Sequence, residues 1–114
     1  MITQEIENRL VDAYNSETEQ DPKVIVKIHN VLGPGVFYAI EGHRDEDTGE
    51  FLMYGLTNID FSKGTIVYDP EKAFISESDL ATFNIPFGRV SFQIDEKFSG
   101  RISDAIHELS AINN

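Results

Sequence analysis

The run Asp45-Glu46-Asp47-Thr48-Gly49-Glu50 packs four carboxylates into six residues. Within it, Asp47-Thr48-Gly49 spells the triplet that carries the catalytic carboxylate of aspartic proteases. That chemistry needs two such carboxylates sharing one proton. The chain has one copy, so only a homodimer could complete the pair. The same run can be set against a calcium loop, which wants acids at positions 1, 3 and 5, Gly at 6 and Glu at 12. Counted from Asp45, Asp47 takes position 3, but Gly49 falls at 5 and Leu56 at 12, where it cannot ligate. A loose cation site would be left with Asp45, Asp47 and Glu50. Asp and Gly are ordinary turn formers, and a solvated hairpin turn accounts for the run.

Other constellations are sparser. His29 and His43 would approach each other only if their strands pair, and His107 stands apart. No two histidines have helical i, i+4 spacing, whereas zinc wants three or four converging ligands. No Gly-x-Ser-x-Gly elbow is present for Ser-His-Asp catalysis. Gly33-Pro34-Gly35 lacks the spacing of a phosphate loop and reads as a turn. Phe37, Tyr38, Phe51 and Tyr54 lack the interleaved bases that hold single-stranded nucleic acid. No catalytic residue, metal or cofactor is assigned from these patterns.

What remains is the acids. Glu17, Glu19 and Asp21 form one group; Glu41, Asp45, Glu46, Asp47 and Glu50 a second; Asp60, Asp69, Glu71, Glu77 and Asp79 are spread through a third. Twenty acids against nine Lys and Arg give a formal charge of −11. That charge repels nucleic-acid phosphate and anionic lipid, and suits a basic protein partner. If two groups share a face, they offer a carboxylate row to a protein that otherwise grips phosphates about 3.4 Å apart along a strand. The second group, Glu41 with Asp45, Glu46, Asp47 and Glu50, is the candidate protein-binding surface.

The elements that must position these residues can be read from periodicity. Ile2, Ile6, Leu10 and Tyr14 predict a helix over 2–14, with Thr3 as its N-cap. A polar linker over 15–22 ends in Asp21-Pro22. Strands are expected at 23–30, 36–43 and 51–56, with a weaker one at 65–68. Short connections make the first three an antiparallel meander. Val24, Val26, Tyr38, Ile40, Leu52 and Tyr54 are its expected core contributors. Ser76 and Asp79 have capping-box spacing, with Ile75 and Leu80 as a hydrophobic staple, so a short helix should run from 76 towards Asn84, ahead of Pro86. Val90, Phe92 and Ile94 alternate as a fifth strand. Phe98, Ile102, Ala105, Ile106, Leu109 and Ile112 predict an amphipathic helix over 99–112. The expectation is one α+β domain over 1–114, an antiparallel sheet of four to five strands with helices packed on it.

With 114 residues and 40% hydrophobic composition, the chain has material for a core. It has no cysteine, hence no disulfide framework or thiolate metal site. Acidic residues near the N-terminus and the lack of a long apolar run argue against a signal peptide or a membrane span. A cytoplasmic location is the expectation.

Three segments carry a likeness to a known family. They are Val36-Phe37-Tyr38-Ala39-Ile40-Glu41, Phe51 through Leu56, and Phe74-Ile75-Ser76-Glu77-Ser78-Asp79-Leu80. The chain resembles, over about residues 8–100, the domain of unknown function 2958 family. The family places an aromatic where Val36 stands, and a Glu-Arg-Asp motif where Phe87-Gly88-Arg89 stands. The resemblance implies no established activity. It implies a setting: small acidic proteins carried by plasmids, phages and conjugative elements of bacteria. With the charge, this leads to a non-enzymatic binding protein that blocks a basic host nuclease or defence protein, of anti-restriction or anti-CRISPR type. The alternatives are a small metal-dependent hydrolase using the turn 45–50 with His29 or His43, and an accessory subunit of a neighbouring gene product.

Overall fold

Thr3 begins the first helix, as its place before the apolar stripe predicts. In the computed structural model, which describes residues 1–83 and 90–112, α1 spans Gln4–Tyr14 and Thr3 Oγ1 accepts the Ile6 N–H at 3.2 Å. Glu5 and Glu7 occupy the first turn, where carboxylates meet the positive end of the helix dipole. Ile2, Ile6, Leu10 and Val11 pack towards the sheet, and Leu10 is wholly buried. Tyr14 ends the stripe half exposed and stacks on His43, with ring centroids 4.4 Å apart.

Five strands follow: β1 (Val26–Asn30), β2 (Val36–Arg44), β3 (Phe51–Asp60), β4 (Thr65–Ser76) and β5 (Phe92–Ile94). Their order across the sheet is β4-β3-β2-β1-β5, and every neighbouring pair is antiparallel. Helix α2 (Glu77–Thr82) lies between β4 and β5 in the chain, and α3 (Ile102–Ile112) follows β5. The α+β class and the antiparallel meander within 23–56 agree with the sequence reading. The expected end of α2 near Asn84 and the Phe87-Gly88-Arg89 segment lie outside the described residues, as does the side chain of Ile112.

The strand bounds differ from expectation: β3 runs on to Asp60 rather than ending at 56, and β5 covers only Phe92–Ile94. β1 starts at Val26 rather than at 23, because Ile25 and Val26 both face Ala39: the Ile25 N–H donates to the Ala39 carbonyl at 2.8 Å, and Val26 is registered opposite the same residue. Upstream, the Val24 N–H turns to the Gly100 carbonyl and Lys23 bridges Arg101. Val24 therefore joins the core on the opposite face from Val26 and Ile28. β4 covers 12 residues rather than the four expected at 65–68. Its register jumps from Thr57↔Glu71 to Ile59↔Ile66, leaving 67–70 opposite Asn58 alone. Pro70 fits there because an edge strand with a bulge needs no N–H from it.

The jump is tied down from β3. Thr57 Oγ1 donates to the Val36 carbonyl at 2.7 Å, and Asn58 Oδ1 accepts the Val36 N–H at 2.9 Å. A second irregularity, in β2 between Ala39 and Glu41, sits opposite Gly55. A Cβ on Gly55 would lie 1.9 Å from the Tyr38 carbonyl oxygen, so only glycine permits that approach.

Both faces of the sheet are covered. Under Leu10 of α1 and Leu80 of α2 lie Ile28, Phe37, Ala39, Phe51, Met53 and Ile75. On the other face α3 packs Ile102, Ala105 and Leu109 over Val36, Tyr38, Ile40 and Leu56. Val36 through Ile40 are therefore buried at every position, as a strand enclosed on both sides requires. Of the expected core, Val26, Tyr38 and Ile40 are buried, while Val24, Leu52 and Tyr54 are partly so. Ile106 departs from the expected stripe of α3: it is 47% exposed, whereas Leu109 is 1% exposed. The capping box of α2 forms as spaced, with the Ser76 and Asp79 side chains each bonding the other's backbone N–H.

Candidate functional site

The acidic turn is built by its own carboxylates. Asp45 Oδ1 accepts the N–H groups of Asp47 and Thr48 at 2.8 and 3.0 Å, and the Asp45 carbonyl accepts the Gly49 N–H at 2.9 Å. Those backbone donors, Thr48 first, hold the Asp45 carboxyl below the usual carboxylate range. Glu50 accepts the Ser78 hydroxyl from α2. Arg44 donates to the Gly49 carbonyl at 2.7 Å and to Glu7 of α1 at 2.8 Å. Glu46 and Asp47 stay exposed at the tip. Asp45 and Glu50 thus hold the hairpin and its neighbours together.

The histidines do not converge on this turn. His29 is registered opposite Val36 at the start of β2, and His43 lies seven residues further along that strand, about 23 Å at the usual rise per residue. His107 is on α3. Among the described residues no group of three or more His, Asp or Glu is placed to hold a metal ion.

Glu41 belongs elsewhere. It lies in β2, three residues before Arg44 and the turn, registered opposite Tyr54. It lines a cleft of about 250 Å³ with Tyr14, Glu17, Glu19, Lys23 and Ile40 among its walls. The linker 15–22 closes that cleft because it is fastened to the start of α3. Asp21 accepts the Ser103 N–H at 2.9 Å and the Ser103 hydroxyl at 2.6 Å. The Ser103 hydroxyl, then its N–H, hold the Asp21 carboxyl low. Arg101 donates to Glu19 at 3.1 Å and to the Asp21 carbonyl at 2.8 Å, and the Ile102 N–H bonds the Pro22 carbonyl at 3.0 Å. Acids from the first group and from β2 therefore meet on one surface, while the rest of the second group sits at the hairpin end.

The structure adds a polar cluster that the sequence reading passed over. Lys27, its side chain only 10% exposed, pairs with Asp95 at 3.2 Å and with Glu108 of α3. Glu108 also accepts the hydroxyl of fully buried Tyr38 at 2.6 Å. The ammonium lies 5.5 Å from the ring centres of both Tyr38 and Phe98. Burial pushes the Glu108 carboxyl up, but the bonds from Lys27 and Tyr38 outweigh it and leave it below its ordinary value. In Asp95 burial is likewise outweighed, by the Lys97 N–H and by Lys27. Burial, then the bond to Glu108, pushes the Tyr38 phenol well up. With its ammonium enclosed by two carboxylates and two rings, Lys27 anchors α3 to the sheet rather than offering an amine to solvent. Lys27 and Glu108 stand 81 positions apart in the chain, so no local spacing could reveal the pair.

Among the described residues no helix is long and apolar enough to cross a membrane. Comparison with family models, with curated proteins and with solved structures finds no match to the chain.

Proposed function

We propose that the protein is a non-enzymatic binding module whose acidic surface engages a basic, nucleic-acid-binding partner protein. The observation that carries this reading is the meeting of Glu17 and Glu19 with Glu41 around one cleft. Of these acids Glu19 pairs with Arg101, and Lys23 is also a wall of the cleft, but among the described residues no ion pair engages Glu17 or Glu41, and the formal charge is −11. A surface of this sign attracts a basic partner over long range and speeds encounter. The narrower reading, a mobile-element protein that inhibits a host nuclease or defence protein, takes its setting from the family resemblance. The hydrolase alternative has less support: His43 stands beside Asp45 at the turn, but His29 is far along the sheet and among the described residues no three such groups converge on a metal position.

The test is retention of a purified basic DNA-binding protein on the immobilised chain, beside a neutral protein of similar size. The basic protein should be held at low salt and released as salt rises, because exposed charges are screened over about 10 Å at 0.1 M. Absence of retention, or retention indifferent to salt, contradicts the reading.

A further inference from the structure

On the face that carries α3, three neighbouring strands present Glu41, Tyr54 and Phe74 side by side. The register pairs Glu41 with Tyr54 and Tyr54 with Phe74, and residues directly opposite in an antiparallel sheet share a face. The row spans two strand spacings, about 10 Å. The rings of Tyr54 and Phe74 lie 4.7 Å apart. Phe74, on the edge strand, is 65% exposed, so the row is open to a partner at that end. At the other end Glu41 opens into the cleft with Tyr14, Glu17 and Glu19.

The protein fills two other pairings of carboxylate and ring with its own cations. Arg44 lies 5.5 Å from the Phe51 ring while bonding Glu7. Lys27 lies against Tyr38 and Phe98 while bonding Glu108. Among the described residues no cation forms an ion pair with Glu41 or lies over the Tyr54 or Phe74 ring, although Lys23 shares the cleft with Glu41.

We infer that the Glu41–Tyr54–Phe74 row is the seat for an arginine of the basic partner protein. This deepens the acidic-surface reading and rests on it. A guanidinium is planar, stacks on aromatic faces, is weakly hydrated and bonds a carboxylate through two parallel N–H groups. An ammonium uses the carboxylate but gains less from the rings. Lys72 lies two residues from Phe74 on the same face, opposite Leu56. Its charge limits the row to one guest cation and directs further basic groups of the partner towards Glu17, since Glu19 is paired with Arg101.

The experiment titrates a nona-arginine peptide and a nona-lysine peptide into isotope-labelled protein and follows the backbone amides by NMR. The arginine peptide should shift Glu41, Tyr54 and Phe74. Phe74→Ser should weaken it about two- to fivefold, the scale of an exposed cation–π contact, and leave the lysine peptide within about twofold. Glu41→Gln should weaken both. Phe74 is on the surface, so the variant should fold, and the unshifted amides of the α1 face check that it does. If the arginine peptide binds but shifts only residues 45–50, or ignores Phe74→Ser, the seat is overturned while the acidic-surface reading stands. If neither peptide binds, both fall.

Discussion

Glu108 joins the sheet to the last helix through two side chains that differ in charge. It accepts from Lys27 and from the Tyr38 hydroxyl, and a bond of this kind to a charged group contributes about 1.5–3 kcal/mol. Glu108→Ala should therefore destabilise by about 2 kcal/mol in urea denaturation, and Tyr38→Phe should cost less in that background than in the wild type. Equal costs in both would mean the two groups do not act together. The pH dependence follows from the directions of the shifts. Asp95 and Glu108 have lowered values when folded, so their contribution is present above the ordinary carboxylate range and is lost as pH falls through the lowered values. Tyr38 has a raised value, so its contribution is present below the ordinary phenol value of 10.0 and is lost as pH rises through the raised one. Glu108→Ala should flatten the acid limb of the stability profile. Tyr38→Phe should remove the phenol ionisation that appears in absorbance only as the protein unfolds in alkali. Tyr38 was legible as a core residue from its strand. Its link to Glu108 was not, because that partner lies 70 positions away on a helix, and its place opposite Lys27 depends on the β1–β2 register, which the alternation of residue types leaves open.

At the scale of elements, local chemistry was readable where the partner residues are close in sequence. The Thr3 cap and the Ser76–Asp79 box both form, since each needs only three residues of spacing. β4 was read only over 65–68, and what carries the strand on through Asp69-Pro70 is the edge position together with Thr57 and Asn58 on the neighbouring strand. The stripe of α3 was read too broadly. A helix on a flat sheet buries a narrow strip, here Ile102, Ala105 and Leu109, and Ile106 falls at its margin. The two positions should separate in stability: Leu109→Ala should cost about 2–5 kcal/mol, the range for emptying a packed site, and Ile106→Ala less than about 1 kcal/mol, nearer the range of surface changes. Chemical denaturation of both variants checks this. A small cost for Leu109→Ala would mean that α3 is peripheral to the fold.

For the whole molecule, the sign and size of the charge were legible from composition, but not where the acids gather. The candidate group Glu41, Asp45, Glu46, Asp47 and Glu50 is divided by the hairpin. Glu41 faces the cleft, Asp45 and Glu50 are engaged in holding structure, and Glu46 and Asp47 are left at the tip. What brings Glu17 and Glu19 to Glu41 is the fastening of 15–22 to α3 through Asp21, Ser103 and Arg101, and no periodicity signals such a contact.

The most direct test of the acidic surface compares two double reversals that leave the same net charge. One is Glu17→Lys with Glu41→Lys, at the cleft. The other is Glu46→Lys with Asp47→Lys, at the turn tip, sparing Asp45 because it holds the turn. The association rate with a purified basic DNA-binding protein is measured for both and for the wild type at low and high salt. The account predicts that the cleft reversal slows association at low salt by about tenfold, within the range of electrostatic steering, that the tip reversal has the smaller effect, and that high salt brings the three rates together. Equal slowing by the two reversals would show that net charge alone acts, and rates unmoved by salt or by either reversal would contradict the acidic surface altogether.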